Sequence, residues 1–307
     1  MNVHHSLPNA ERERPLALAI GFFDGFHRGH RAIVAALLRE RRPGYRAAVL
    51  TFRNHPATHL RPSDVPPMIS TLEERLDNLA RAGIDEAYLL PFDDTIAKLD
   101  AQTFLENVVA KRIGVRVLVV GENFRFGAGR GGDAGFARER MSALGIGFVA
   151  VGQLEDRGER ISSTRVRRAI ADGDLALADE LLGAPYTLHG RVVVGEGRGH
   201  DLGFPTANLD VSGDKLIPAD GVYRCIARYD GRDYAALLSI GTNPTFDSGT
   251  RRTTEVWLRD FDGTIYGEQL SLRELRFLRA QLRFENPEAL IEQMRADVAA
   301  VPYPTIA

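Results

Sequence analysis

The sequence predicts a two-domain protein of fold class α/β plus all-β, because its pattern changes once along the chain. From residue 16 to about residue 183, short apolar runs alternate with amphipathic stretches, which is typical of a parallel sheet with helices on both faces. After LLGAPY the chain is rich in alternating apolar residues and turns, which predicts an antiparallel barrel or sandwich. We therefore expect a flexible tail over residues 1–15, an α/β domain over 16–184 and a β-rich domain over 185–307.

The α/β prediction depends on strands and helices that can be located individually. One helix carries both a start and a stop signal, since Thr71 stands three residues before Glu74 in a capping box and Gly83 follows the last turn. Further helical patterns are RAIVAALLRERR, STRVRRAIADG and DLALADELLG. The predicted strands are LALAIGF (16–22), AAVLTF (47–52), EAYLLPF (86–92), VLVVGE (117–122) and GFVAVG (147–152).

In the β-rich part, the Asp-Gly pairs of YDGRD and FDGT favour tight hairpins, because glycine tolerates a positive φ. The chain closes with NPEALIEQMRADVAA, a predicted helix in which Asn286 is the cap and Pro287 the first residue.

The composition indicates a cytoplasmic protein. The formal net charge of −2 provides no basic surface for nucleic acid or membranes, so we expect neither as a partner. The single cysteine, Cys225, rules out an internal disulfide, and no apolar run approaches the roughly 20 residues of a membrane span. Self-association, if it occurs, we expect to be weak.

The stretch GFFDGFHRGH, directly after the first predicted strand, is a candidate phosphate site. The next helix begins near Arg28, so His30 lies in a first turn whose free backbone amides and dipole attract phosphate. The alternatives are that one histidine caps the helix and the other is solvated, or that the pair binds zinc, for which no third ligand stands nearby. Only three of the 39 basic residues are lysines and no G-x-x-x-x-G-K-[ST] loop exists, so phosphates must be bound by amides, arginine, histidine or a metal.

Four ordered motifs resemble a known family. GFFDGFHRGH resembles the signature of the HxGH nucleotidyltransferase superfamily, and TFRNHP (51–56), GENFRFGAGRGGD (121–133) and ISSTRVR (161–167) are similar to segments of one branch of it, prokaryotic bifunctional riboflavin kinase/FAD synthetase. The resemblance implies a Rossmann-like domain that adenylylates FMN to FAD with release of pyrophosphate. It implies flavin-binding roles for His55 and Phe124, catalytic roles for His27 and His30, and nucleotide-binding roles for Gly25, His27, His30, Asn123, Ser163, Thr164 and Arg167.

Several of these assignments have plain structural alternatives. Phe124 can simply be a packing residue, and His55 an ordinary loop histidine before a proline. Asn123 stands at the carboxyl end of a predicted strand, where open α/β sheets bind ligands, and the resemblance allows contact with either nucleotide or flavin.

The β-rich part carries a second set of motifs. Thr206 and Asn208 in FPTAN alternate along an extended segment, so a hydroxyl and an amide oxygen point the same way, as a Mg²⁺ site requires; a turn-forming Pro-Thr is the alternative. LGFPTAN, GVY and TEVWLRDF resemble the riboflavin kinase domain, a β-barrel with a C-terminal helix that phosphorylates riboflavin from ATP. The resemblance implies that Glu255 is the general base. It also implies that Gly195 and Gly203 bind nucleotide and that Arg279 binds flavin, with Arg273 and Arg276 as competing choices.

One segment departs from the family. In the family a Gly-Arg or Gly-Lys pair often precedes Leu-Gly-Phe-Pro, where this chain has Gly199-His200-Asp201, which makes the contribution of the kinase phosphate loop less certain.

Other functions remain open at this point. A nucleotidyltransferase acting on a different phosphate acceptor, with a degenerate kinase domain, is disfavoured by the intact FPTAN and Glu255. A flavin-binding regulatory or storage protein would not need the paired histidines or ISSTRVR, and a class I tRNA synthetase would need a lysine signature and a basic surface. The expected ligands are riboflavin, FMN, FAD, ATP and Mg²⁺.

Overall fold

The computed structural model describes residues 1–8, 15–195, 203–242 and 252–301. It consists of two compact units, Met1–Ser163 and Thr164–Ala307. The division falls ahead of the predicted boundary at residues 184 and 185, because the helices after Ser163 group with the barrel; for example, Arg276 of the barrel is 2.8 Å from Asp179. The domain limits 16–184 and 185–307 stay predictions.

The first unit is built on a sheet that, among the described residues, has six strands, all parallel, in the order β1-β4-β3-β2-β5-β8. Two small antiparallel ladders, β6-β7 and β9-β10, lie in the loops. The strands are β1 Asn2–His4, β2 Leu16–Ile20, β3 Arg46–Phe52, β4 Glu86–Leu90, β5 Val115–Gly121, β6 Arg125–Phe126, β7 Gly132–Asp133, β8 Gly147–Val151, β9 Glu155–Asp156 and β10 Glu159–Arg160.

Helices alternate with these strands along the chain, and further helices follow from Ser163 onward. Thr71 and Glu74 form the expected capping box, and Gly83 follows the last turn of that helix with φ +92. The helices are α1 Arg28–Arg39, α2 Ala57–Leu60, α3 Leu72–Arg81, α4 Asp94–Ala97, α5 Ala101–Thr103 running on as a π-helix Phe104–Ile113, α6 Ala134–Ala143, α7 Ser163–Ala171, α8 Leu175–Leu182 and α9 Pro287–Ala299, with 3-10 turns at Asp24–Phe26 and Ala128–Arg130.

The central strands are buried on both faces, which confirms the α/β prediction. Successive residues of β2 point to opposite cores: Leu18 packs in the same cluster as Val109, whereas Ala17 packs with Leu37 and Leu79. A strand that contacts helices on both sides needs apolar residues at every position, which is why LALAI has no alternation.

The prediction of a flexible tail over residues 1–15 is wrong for its first residues. Asn2–His4 form β1 and pair in parallel with β4. Contacts of the His4 ring hold this strand in place. Its Nε2 lies 3.1 Å from Oε2 of the buried Glu86, and the ring stacks on Tyr88 at 5.1 Å.

The chain order of the sheet reverses at β2. From β2 the chain goes to β3 on one side, and it later returns to β5 on the other side of β2. Open α/β sheets bind ligands at the carboxyl ends of strands where the order reverses in this way. The loops after β2 and β5 carry GFFDGFHRGH and GENFRFGAGRGGD, so two of the motifs meet at this edge.

The second unit is a closed antiparallel barrel in the order β11-β12-β15-β14-β13-β16, so the barrel alternative is confirmed over the sandwich. Asp230 and Gly231 turn tightly with φ +45 and +74, as predicted. The hairpin expected at FDGT is wrong, because β15 and β16 are not neighbours in the barrel. The strands are β11 Leu188–Val193, β12 Thr206–Val211, β13 Gly221–Tyr229, β14 Arg232–Gly241, β15 Thr253–Leu258 and β16 Gln269–Arg279.

The C-terminal helix α9 begins as predicted, with Asn286 accepting a hydrogen bond from the Ala289 amide and Pro287 at the first position. Within the described part of the chain, no helix is long and apolar enough to cross a membrane.

Candidate functional sites

The loop between β2 and α1 has an unusual backbone that its surroundings hold in place. Phe23, Gly25 and Phe26 have φ values of +58, +77 and +42, and both phenylalanines are buried. A Cβ on Gly25 would lie 2.8 Å from Cγ2 of Ile69, so neither the backbone angle nor the space admits a side chain there. Positive φ at two phenylalanines costs free energy that buried packing must offset, and such strain is common at functional sites.

The buried carboxylate of Asp24 fixes this loop rather than facing a ligand. It accepts hydrogen bonds from the amides of Ile69 and Ser70 at 3.2 and 2.9 Å, and the Ser70 hydroxyl accepts from the amide of Gly25 at 3.1 Å. The carbonyl of Asp24 accepts a hydrogen bond from the hydroxyl of Ser163 at 3.1 Å. The predicted nucleotide residues Gly25 and Ser163 are therefore joined to one rigid turn.

His27 and His30 form a stacked pair at the start of α1. Their ring centroids are 3.7 Å apart with 17° between the planes. His27 is the N-cap, and its Nδ1 accepts a hydrogen bond from the His30 amide at 3.3 Å. Since Nδ1 of His27 acts as an acceptor, a neutral ring carries its proton on Nε2. His27 thus caps the helix, which is one of the alternatives that the sequence left open.

His30 is held in its neutral form. Burial, and secondly the proximity of His27, hold the pKa of His30 well below its usual value. Its Nδ1 is shielded from solvent and has no hydrogen-bond partner among the described residues. Two stacked imidazoles cannot both be charged without repulsion, so His30 provides a neutral ring beside His27 and the positive end of α1.

Gly29 allows the ring of His27 to lie against the helix. A Cβ at this position would be 3.0 Å from Cε1 and 3.1 Å from Nδ1 of His27, closer than ordinary van der Waals contact. The presence of glycine at the third position of HRGH therefore has a steric explanation that the sequence pattern alone does not reveal.

Arg75, which the sequence analysis did not single out, joins two of the motif loops. This arginine of α3 is 1% exposed, and its guanidinium donates hydrogen bonds to the carbonyls of Phe22 at 3.0 Å and Arg53 at 3.3 Å. It also lies 4.2 Å from the centre of the Phe22 ring, which contacts the ring of His55 edge-on at 4.8 Å. Its acceptors are main-chain carbonyls, which leave no signal in the sequence.

The predicted residues after β5 and at α7 occupy different environments. Asn123 is exposed just beyond the carboxyl end of β5, and Phe124 is partly buried and stacks on Phe126 with centroids 5.0 Å apart. Phe124 therefore packs against Phe126 with one face of its ring, as the alternative reading predicts. Its role in flavin binding stays a prediction. Thr164 is exposed and Arg167 partly exposed in the first half of α7; their nucleotide roles stay predictions as well.

Three predicted kinase residues come together on two neighbouring strands of the barrel. Asn208 of β12 is directly opposite Glu255 of β15. The hydroxyl of Thr206 donates a hydrogen bond to Oε2 of Glu255 at 3.2 Å. The hydroxyl of Thr253, which the sequence analysis did not include, lies 3.4 Å from Oε1 of the same carboxylate. Hydroxyl, amide and carboxylate groups thus share one face, as the alternation in FPTAN predicts.

Gly195 and Gly203 flank the segment of the predicted phosphate loop. A Cβ on Gly195 would overlap the side-chain amide nitrogen of Asn208, so this glycine lets the backbone approach that amide. Gly203 has φ +81, which favours glycine. Gly197, Gly199, His200 and Asp201 lie outside the described residues.

Arg279 is bound to the C-terminal helix. Its Nη2 donates to Oδ2 of Asp297 at 2.6 Å, and its Nε lies 2.9 Å from Oδ1 of the same carboxylate. Gln293 donates a further hydrogen bond to Oδ1 of Asp297 at 2.9 Å. The side chains of Arg279 and Asp297 are 18% and 6% exposed, so this ion pair holds α9 to β16. The flavin role of Arg279 stays a prediction.

These features define a class of protein: an HxGH-type nucleotidyltransferase domain joined to a β-barrel kinase domain. Residues 9–165 match the family model for FAD synthetase, and residues 182–302 match the model for riboflavin kinase. The chain belongs to the family of bifunctional riboflavin kinase/FMN adenylyltransferases. It phosphorylates riboflavin to FMN and adenylylates FMN to FAD, with ATP as the co-substrate of both reactions.

Relatives from several bacteria support this membership. The bifunctional riboflavin kinase/FMN adenylyltransferase of Listeria monocytogenes serovar 1/2a is 34% identical over 301 residues, which cover 96% of this chain and 94% of the relative. The enzyme of the same name from Escherichia coli K12 is 36% identical over 297 residues, covering 96% and 93%. A crystal structure from Streptococcus pneumoniae, described as a macrolide-efflux protein, is 32% identical with a TM-score of 0.88 and covers 97% of this chain and 98% of that chain.

Proposed function

We propose that FMN adenylylation takes place at the turn between β2 and α1, with His27 and His30 as the catalytic residues. An oxygen of the FMN phosphate attacks the α-phosphorus of ATP, a new phosphorus–oxygen bond forms, and the bond to the bridging oxygen of pyrophosphate breaks. Such a reaction needs positioning and charge stabilisation rather than a covalent nucleophile. The observation that carries this proposal is the stacked histidine pair at the amino end of α1, beside the switch point of the sheet.

The two histidines have different duties in this proposal. His27 donates from Nε2 to the α-phosphate, because its Nδ1 is occupied by the amide of His30. His30 is neutral near neutral pH, since its pKa is well below the usual value, and it donates one hydrogen bond to the departing pyrophosphate. Nucleotide contacts from Gly25, Asn123, Ser163, Thr164 and Arg167, and flavin contacts from His55 and Phe124, complete the proposed site.

We propose further that riboflavin is phosphorylated at Glu255. Its carboxylate accepts the proton of the ribityl 5′-hydroxyl while the oxygen of that hydroxyl attacks the γ-phosphorus of ATP and ADP leaves. The support is the position of the carboxylate, which is partly buried and flanked by two threonine hydroxyls. Gly195 and Gly203 are proposed to bind nucleotide, and Arg279 to lie at the flavin while it anchors α9.

The residues beside Glu255 suit Mg²⁺. Thr206 donates its proton to Glu255, which leaves the lone pairs of its hydroxyl oxygen available, and Asn208 adds an amide oxygen on the same face of the barrel. Hard oxygen donors of this kind are the usual ligands of Mg²⁺. Bound there, the cation would neutralise charge on the phosphates of ATP.

The two-site assignment is tested by separating the activities. Glu255→Gln is expected to abolish FMN formation from riboflavin and to leave FAD formation from supplied FMN, and His30→Ala is expected to do the reverse. Chromatography of the flavins after incubation with ATP and Mg²⁺ distinguishes the products. Equal loss of both activities in both folded variants would refute the assignment.

We also propose that the enzyme works in the cytoplasm, without nucleic-acid or membrane partners and with at most weak self-association. The support is the low net charge and the single cysteine of the sequence. Sedimentation of the purified protein at increasing concentration tests the last point, and a stable oligomer at low micromolar concentration would contradict it.

A further inference from the structure

We propose that Thr253 is a positioning residue of the riboflavin kinase reaction, which holds Oε1 of Glu255 through its hydroxyl. The inference rests on the proposed role of Glu255 as general base. Thr253 and Glu255 are two residues apart on β15, so their side chains lie on the same face of the barrel.

The carboxylate of Glu255 is held from two sides. The hydroxyl of Thr206, on the neighbouring strand β12, donates to Oε2 at 3.2 Å. The hydroxyl of Thr253 lies 3.4 Å from Oε1, the other carboxylate oxygen. Because the two contacts are to different oxygens, together they restrain rotation of the carboxylate about its last bond.

The hydroxyl of Thr253 has two acceptors within reach. Its hydroxyl also lies 3.2 Å from the carbonyl of Gly241, its partner on β14, but it has only one proton to donate. A carboxylate is a stronger acceptor than a main-chain carbonyl, since hydrogen bonds to charged groups are stronger than those between neutral groups.

This arrangement predicts an effect on turnover rather than on substrate binding. Thr253 touches neither of the proposed Mg²⁺ ligands in the contacts described above; its hydroxyl reaches the carboxylate of Glu255 and the main-chain carbonyl of Gly241. Loss of one hydrogen bond to a charged base should therefore lower kcat about tenfold and leave KM for riboflavin and ATP within about twofold.

The chain supplies a matched control on the same strand. Thr254 is 7% exposed and its side chain points to the opposite face from Glu255. Thr253→Val and Thr254→Val each replace a hydroxyl with a methyl group of the same shape. Thr253→Ser keeps the hydroxyl and should restore kcat to within about threefold of the wild type, which a purely structural role of the threonine methyl group would not do.

The experiment measures kcat and KM of riboflavin phosphorylation in the full-length chain for Thr253→Val, Thr253→Ser, Thr254→Val and Glu255→Gln. FAD formation from supplied FMN, measured in the same samples, reports the amount of active adenylyltransferase domain, and the thermal transition of each variant reports that the barrel is folded. The expected result is a fall in kcat for Thr253→Val alone among the three threonine variants, with loss of the reaction in Glu255→Gln.

Three results would overturn the inference. Two of them contradict only the role of Thr253, and the third also contradicts the role of Glu255 as general base. If Glu255→Gln loses the reaction but Thr253→Val keeps the kcat of the wild type, or Thr253→Ser is as slow as Thr253→Val, the positioning role alone is wrong. If Glu255→Gln retains full kinase activity, the proposed base is wrong, and the role of Thr253 falls with it.

Discussion

Replacing Gly29 with alanine should lower the rate of FAD formation and leave the stability of the chain almost unchanged. The new Cβ would lie 3.0 Å from Cε1 of His27, whereas ordinary contacts between carbon atoms are about 3.5–4.0 Å. The ring of His27 must therefore move by roughly half an ångström. Because a misplacement of about 1 Å can cost about a hundredfold in rate, a shift of half that size predicts about a tenfold loss of kcat for FAD formation.

The effect of Gly29→Ala on the free energy of unfolding should be small, because two terms oppose each other. Alanine is favoured over glycine inside a helix by about 0.5–1 kcal/mol. The cap hydrogen bond from the His30 amide to Nδ1 of His27 is already 3.3 Å long, and lengthening it further would cost up to about 1 kcal/mol. The melting temperature should consequently stay within about 2 °C of the wild type.

The assay measures FAD formation from FMN and ATP, with phosphorylation of riboflavin by the same chain as an internal reference. Gly135→Ala is the matched control, because Gly135 is also the second residue of its helix, α6. There a Cβ would lie 3.3 Å from Oδ1 of Asp133, a side chain with no proposed part in the reaction. Unchanged FAD formation in Gly29→Ala, or an equal loss in Gly135→Ala, would refute the steric explanation.

Three further substitutions test contacts described above. Arg75→Lys cannot reproduce both carbonyl contacts, so it should slow FAD formation several-fold and lower the unfolding free energy by about 2 kcal/mol in denaturant titration. Gly195→Ala should displace the amide of Asn208 and raise KM for Mg·ATP in the kinase reaction about tenfold, with little change in FAD formation. Asp297→Asn leaves the largely buried Arg279 without its counter-charge and should destabilise the barrel by about 3 kcal/mol, seen as an earlier thermal transition.

Each of the three would be contradicted by a specific result. Wild-type stability in Arg75→Lys would show that the two carbonyl contacts contribute little. An unchanged KM in Gly195→Ala would mean that the loop can shift away from Asn208. A normal thermal transition in Asp297→Asn would mean that the neutral amide still holds Arg279.

The elements that could be read from the sequence are those whose pattern is fixed by burial on both faces. β2, with LALAI fully buried, is of this kind. Helices with explicit caps such as Thr71 and Asn286 could be predicted for another reason, because the cap marks the residue where the helix begins. β1 could not be read, because three residues of mixed polarity carry no periodicity and their order depends on the contact of His4 with Glu86, distant in the chain. The turn at FDGT failed for a related reason: a turn signal says that the chain bends but not which strands become neighbours.

The candidate sites show the same limit. The place of His27 and His30 at the start of a helix after the first strand was predictable, since a strand, a glycine turn and a helix have a fixed order. Arg75 was not, because a basic residue in a polar helix reads as solvated and its acceptors are backbone carbonyls. Arg279 was assigned from resemblance as a flavin residue, and its pairing with Asp297 needed the folded barrel to be seen.

β1 has a practical consequence for work on the adenylyltransferase domain alone. It lies at one border of the parallel sheet and supplies hydrogen bonds to β4. A shortened chain that begins at Leu16 would leave β4 with an uncovered row of amides and carbonyls, and such rows recruit strands from other molecules. β1 thus covers the edge of β4 and prevents self-association there. A version of this domain made for solution work should therefore begin at Met1.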